Sequence, residues 1–220
     1  MTLPISTFEF LKKLKQNNSK EWFDANRIDY TLAKEKHIHF VNELILSITK
    51  FDTKIKGLEA KTCLFRINRD VRFSNNKSPY KTNIGASISP GGKKSGIAGY
   101  YLHIEPGASF IAGGMWQPES NLLAAIRQEI DYNSEEIAKI LNNNAFKLSF
   151  GGLSNEDKLK TVPKGYDKLH PQIELLKHKS FIVFNNFTDK EVLAEGFLKQ
   201  CIKYCKDMYP LLTFLRKACD

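Results

Sequence analysis

Between residues 33 and 48 the apolar side chains Ala33, Phe40, Val41, Leu44, Ile45 and Ile48 recur every three or four positions, with His37 on the same stripe. Because about 3.6 residues complete a helical turn, this spacing predicts a long amphipathic helix packed on a sheet. His37 belongs to that stripe as a packed side chain rather than as a ligand. Two shorter helices precede it. Ser6 and Glu9 have the spacing of a capping box ahead of Phe10, Leu11 and Leu14, and Ser19 caps a second helix with Glu21 and Asp24 near its positive end.

After Gly57 the period shortens to two. Cys63, Phe65 and Ile67 alternate with Leu64, Arg66 and Asn68, which predicts a strand with one buried face and Arg66 on the other. Residues 70–83 (DVRFSNNKSPYKTN) carry Pro79 and the polar Ser74-Asn75-Asn76 run and read as a loop. Further strands are expected over Ile84, Ala86 and Ile88, at 97–105 and at 108–115. The last two are joined by Pro106-Gly107, a type II turn pair that splays strands and so predicts a bulge.

Helices then return. Pro118 suits the first turn of a helix carrying Leu122, Leu123, Ile126 and Ile130, and Asn133 with Glu136 caps the next. Residues 144–170 show little periodicity, and Phe181-Ile182-Val183-Phe184 reads as a buried strand. Thr188 with Glu191 caps a closing helix that Gly196 bends and Pro210 interrupts. The pattern as a whole predicts an α+β protein, an antiparallel or mixed sheet packed with N-terminal and C-terminal helices, as one domain over residues 1–220.

Composition adds bounds. The 220 residues are 42% hydrophobic and 26% charged, enough to bury a substantial core. No stretch approaches the roughly 18 apolar residues of a membrane span, and the N-terminal residues are polar where a signal peptide is apolar, so a cytoplasmic protein with no membrane partner is expected. Cys63, Cys201, Cys205 and Cys219 have no C-x-x-C spacing, which predicts packed thiols and no metal site. Of the nine net positive charges, seven fall within residues 61–94, where eight basic side chains face Asp70 alone. Such a cluster attracts anions.

Two constellations are candidates for chemistry. Arg66, Arg69, Arg72, Ser74, Lys77, Tyr80 and Lys81 bring guanidinium, ammonium, hydroxyl and ring groups into one segment, and a guanidinium can grip a phosphate or carboxylate through two parallel hydrogen bonds. The plain alternative is a self-satisfied loop, with Asp70 pairing one arginine and Phe73 packed inward. On the expected hairpin, Tyr101, His103 and Glu105 share one face, opposite the core-like Tyr100, Leu102 and Ile104. His103 can serve as general acid or base with Glu105 as its partner or as the proton carrier, or it can be a half-exposed histidine bonded to a neighbour. Ala112, Gly113 and Gly114 would leave room beside that strand for a ligand or another backbone.

Three motifs fail. His103-x-Glu105-Pro106 opens like a zinc deaminase signature, but no P-C-x-x-C follows. Gly92-Lys93 lacks both the first glycine of a phosphate-binding loop and the following Ser or Thr. N-x-S and N-x-T strings carry no glycosylation meaning in a cytoplasmic protein.

The runs LFRINRDVRFSNNKSPYKTN (64–83), AGYYLHIEPGASFIAGGMWQPE (98–119) and LKTVPKGYDKLHPQIELLKHKSF (159–181) resemble the family catalogued as domain of unknown function 2461, over nearly the whole chain. Arg66, Arg69, Asp70, Arg72, Phe73, Ser74, Lys77, Pro79, Tyr80 and Lys81 match its signature. Asn76 stands where many members carry an acidic residue, which speaks against a metal-binding or general-acid role there. The resemblance implies no activity, substrate or cofactor, so the function and any cofactor stay unknown at this point. The residues themselves point first to a module that binds an anionic small molecule through the 66–81 segment. They point next to a phosphoester-processing enzyme using His103 or Glu105 with the arginines, and third to nonspecific nucleic acid binding. Oligomeric state is left open.

Overall fold

A computed structural model describes residues 3–218. Among them the chain forms ten α-helices and one four-stranded sheet, an α+β fold. Strands β1 (Ile84–Ile88), β2 (Gly99–Ile104), β3 (Ser109–Met115) and β4 (Phe181–Phe187) lie side by side in chain order, each antiparallel to the next. Helices α1 (Ile5–Gln16), α2 (Lys20–Ala25), α3 (Arg27–Ile48) and α4 (Ala60–Cys63) precede the sheet. Four more, α5 (Ser120–Tyr132), α6 (Ser134–Asn142), α7 (Asn144–Phe150) and α8 (Ile173–Leu176), separate β3 from β4, and α9 (Asp189–Leu193) and α10 (Phe197–Lys217) close the chain.

One face of the sheet is core. Tyr100, Leu102 and Ile104 are buried beside Ile84, Ala86 and Ile88, with Ile111 next to them, and α3 and α10 pack over this face. The buried residues of α3 are the seven of the predicted stripe, His37 included. Helix α10 approaches β3 closely because position 113 has no side chain: a Cβ on Gly113 would lie 2.1 Å from the Met208 sulfur. The far ends of the two helices are tied inside the protein. Asp52, just past α3, accepts two hydrogen bonds from Arg216 Nη1 at 2.9 Å and one from the Tyr100 hydroxyl at 2.9 Å, while Arg216 Nε donates to the Ala98 carbonyl. The carboxylate and guanidinium side chains are 1% and 5% exposed, an ion pair shut away from water.

Local signals held where a side chain could satisfy a helix end. Ser19 accepts from the Trp22 N–H, and Thr188 and Glu191 form both halves of a capping box. Ser6 and Glu9 do not: α1 begins at Ile5 behind Pro4, so Ser6 is already inside the helix. Asn133 marks the junction of α5 and α6, but its amide donates to Glu129 instead of capping. Pro118 lies just outside α5, whose N-cap is Glu119. Helix α7 forms within the stretch that lacks periodicity, its first turn capped by Asn143.

Further expectations change. Residues 63–68 are not a ladder strand: Cys63 ends α4, and Leu64 and Asn68 each make a single bridge, to Ala86 and Tyr80. Beside the Leu64 bridge the Phe65 N–H bonds the Gly85 carbonyl of β1, and the chain then turns to pair with residues 79–81. Burial therefore follows Cys63, Leu64 and Ile67, and Phe65 faces outward. Gly107 adopts φ 81° and the Ala108 N–H bonds the Glu105 carbonyl, as a type II turn requires, yet the register is unbroken from Gly99↔Gly114 to His103↔Phe110 with no bulge. Pro210 does not interrupt α10, whose flanking Met208, Leu211 and Leu212 are all packed in the core, and Gly196 caps the helix at φ 95° rather than bending it. β4 is buried on one face only, its Phe184 being exposed. Cys63, Cys201 and Cys205 are buried thiols, the last two pushed well up by burial, and Cys219 lies outside the described residues.

Candidate functional site

The basic segment folds as an irregular finger beside β1. Its two arms are joined by Lys81 N–H to the Ile67 carbonyl and Arg69 N–H to the Pro79 carbonyl, each 2.8–2.9 Å. At its base Tyr80 is buried, stacked on Phe23 at 3.9 Å between ring centroids, and its backbone N–H and carbonyl are both taken by the Asn18 amide. At the tip, the Arg69 guanidinium donates to the Ser78 carbonyl at 3.0 Å and to the Ser74 hydroxyl at 3.3 Å. Lys77 donates to the Val71 carbonyl. Arg72 grips Asp70 through two hydrogen bonds of 2.9 and 2.6 Å, which holds the carboxyl below its usual range and raises the guanidinium. Phe73 does not pack inward: it is 95% exposed, with Arg72 over its ring.

Arg69, Arg72, Ser74 and Lys77 are thus engaged by the finger's own groups and Tyr80 by Phe23 and Asn18, while two other cations meet elsewhere. Among the described residues Arg66 makes no hydrogen bond or ion pair. The Lys81 ammonium sits 5.3 Å from the centre of the Phe65 ring, and desolvation together with the Arg66 charge lowers its proton affinity. Phe65 in turn meets Tyr101 edge-on, at 6.0 Å. The finger's free positive charge therefore lies along its side, next to the sheet, and not at its tip.

The outward face of the sheet is open over part of its area. Register sets Ser87, Tyr101, Ala112 and Phe184 in one row across the four strands, and Gly85, His103, Phe110 and Asn186 in the next. A cleft of about 680 Å³ opens over the first row and over Phe110 and Asn186 of the second. Its floor sets small residues, Ser87, Gly99, Ala112 and Gly114, beside Tyr101 and Phe110, and its walls include Phe65, Phe184 and Trp116, the last 56% exposed. Ala112 thus leaves room on this face, whereas Gly113 leaves it for Met208 on the other, and Gly114, at φ 128°, leaves it for the β4 backbone, the Phe181 carbonyl oxygen lying 1.9 Å from where a Cβ would stand. Lys93 also lines the cleft, its ammonium donating to the Leu64 carbonyl.

Along β2 the predicted polar face is a continuous hydrogen-bonded row. The Tyr101 hydroxyl lies 3.1 Å from His103 Nδ1, His103 Nε2 lies 3.0 Å from one Glu105 oxygen, and the Thr82 hydroxyl donates to the other at 2.6 Å. The His103 ring stacks on Phe110 at 4.6 Å. Burial and the Glu105 charge hold the Tyr101 phenol above its usual range. Sequence reasoning placed Tyr101, His103 and Glu105 together, because alternation along one strand suffices for that. It missed Ser87, Phe184 and Trp116, for which no local signal exists. Among the described residues no group of three or more His, Cys, Asp or Glu could hold a metal ion.

Fold and site define an α+β protein with an open, aromatic-walled cleft on its sheet and a basic finger at the cleft's edge. The chain belongs to the family described as conserved hypothetical protein, domain of unknown function 2461, whose model matches residues 6–214. Comparison with curated proteins and with solved structures gives no match. No helix among the described residues is long and apolar enough to cross a membrane.

Proposed function

We propose that the protein binds a small molecule with a flat, largely apolar body and an anionic group, the body lying in the sheet-face cleft and the anion at Arg66, Lys81 and Lys93. The observation that carries this reading is the cleft itself. About 680 Å³, a floor in which Ser87, Gly99 and Ala112 leave room beside Tyr101, and aromatic walls with Lys93 among them are the size and lining of a small-molecule site. An aromatic body gains ring contacts there, and the charge gains Arg66, whose guanidinium has no hydrogen bond to give up. The cations of the finger tip are occupied by Asp70 and by backbone and hydroxyl oxygens, so the tip offers few free charges to a phosphate backbone. That favours a small anion over a nucleic acid.

Phenyl phosphate and benzoate, with benzamide and inorganic phosphate as controls, test this by titration followed through backbone amide shifts. The aromatic anions are expected to shift β2, β3 and the Phe65 region saturably and the controls to bind more weakly. Arg66→Ala should weaken binding about ten- to hundredfold, since hydrogen bonds to charged groups contribute about 1.5–3 kcal/mol. Ala112→Phe, which fills the floor, should abolish it. Shifts confined to residues 70–78, or binding unchanged in both variants, would refute the reading.

A further inference from the structure

We propose that Tyr101 is a nucleophile, a phenol activated by His103 with Glu105 and Thr82 holding the imidazole, and that it attacks the electrophilic centre of an anionic ester lying in the cleft. The inference rests on the binding reading above and adds a reaction to it.

Hydrogen-bond bookkeeping fixes the direction of the row. A carboxylate only accepts, so the Glu105 contact at 3.0 Å requires the proton on His103 Nε2. A neutral imidazole protonated there presents Nδ1 as an acceptor, and the phenol 3.1 Å away must then donate to it. The second Glu105 oxygen is taken by the Thr82 hydroxyl, so the carboxylate is held at both oxygens, by His103 and by Thr82. The imidazole is clamped in plane by its stack on Phe110. This is the order of a Ser-His-Asp triad: an acid orients a base, and the base faces the hydroxyl. Here the hydroxyl belongs to a residue that lines the cleft.

The backbone is built around this contact. Gly85 is the cross-strand partner of His103, and a Cβ on it would lie 2.6 Å from the Tyr101 hydroxyl oxygen. Any other residue there would push the phenol out of place. In the step itself a bond forms from the phenol oxygen to the ester centre, and the bond from that centre to the leaving oxygen breaks. The phenol proton passes to His103 Nδ1, where Glu105 offsets the new charge, and then to the leaving oxygen. Nothing is oxidised or reduced.

The test uses 4-(fluorosulfonyl)benzoate on the whole protein, read by peptide mass spectrometry. Attack by the phenol oxygen on sulfur expels fluoride and leaves a stable mark. Tyr101 is expected to label at least tenfold faster than Tyr132, which is 73% exposed and serves as the internal reference. His103→Gln and Glu105→Gln should each lower the Tyr101 rate about tenfold or more, within the usual range for a general base, and leave Tyr132 unchanged. Gly85→Ala should do the same by displacing the phenol, and it keeps the test open if a row variant fails to fold. Tyr101 labelling no faster than Tyr132 in the unaltered protein, or unaltered by a folded His103→Gln variant, overturns the proposal. Neutral benzenesulfonyl fluoride separates the two readings. Equal labelling of Tyr101 by both reagents upholds the activated phenol and removes the anion subsite, whereas saturable binding of the benzoate without labelling does the reverse.

Discussion

His37 makes stability depend on acid in a way the structure lets one calculate. It sits on the buried face of α3 with 0% exposure, neither ring nitrogen has a hydrogen-bond partner, and burial alone pushes its pKa down from 6.5 to about 4. Protonation would leave a charge and two N–H donors in a dry core, so the folded state stays neutral while the unfolded chain takes up a proton. The sign follows. Because the folded pKa is depressed, the contribution is full above about pH 6.5 and is lost as pH falls toward 4. Between pH 7.5 and pH 5 this amounts to about 2 kcal/mol for this one residue, a large part of an ordinary domain's stability. Urea unfolding of the unaltered protein and of His37→Leu at both pH values measures it. The variant should lose about 2 kcal/mol less over that interval, since it has no proton to bind there. Identical losses in the two proteins would show that His37 protonates in place or escapes to water, and the reasoning would fail. His178, also buried and pushed down to about 4 by burial and by the Lys158 charge, makes the unaltered protein's own dependence steeper still.

Two further outcomes concern the packing of α10. Gly113→Ala should cost about 1–3 kcal/mol by forcing Met208 away, and Met208→Ala should relieve part of it; a double-mutant cycle by thermal unfolding that adds within error would refute the contact. Asp52→Asn should cost about 3–5 kcal/mol by stranding the Arg216 guanidinium, while Asp52→Leu combined with Arg216→Met should cost less than that single change; the reverse order in urea unfolding would mean that the pair is solvated.

Much of the fold was legible because it is written in nearest neighbours. The α3 stripe, the alternation of Tyr100, Leu102 and Ile104 with Tyr101, His103 and Glu105, the Ser19 cap and the Thr188-Glu191 box each depend on residues within about one turn of each other. Where a signal competed with its surroundings it failed. Ser6 could not cap a helix that starts one residue earlier, and Pro210 could not break one held on both sides of it by core contacts. The finger misled for a related reason: a run of like charges says that cations are present, and not which of them the chain will use up on its own carbonyls.

In α3 and β2 the sequence alone settled which side chains turn inward, and it settled where the positive charge is concentrated and that Tyr101, His103 and Glu105 share a face. Only the tertiary structure decided what those groups meet. Arg69 finds Ser78, Arg72 finds Asp70, and Lys81 finds Phe65, while four strands in register bring Ser87, Ala112 and Phe184 to one cleft. The physical reason is that periodicity fixes direction about an element's own axis. Position relative to other elements is set by register and by close approaches such as those at Gly85 and Gly113, which no window along the chain contains.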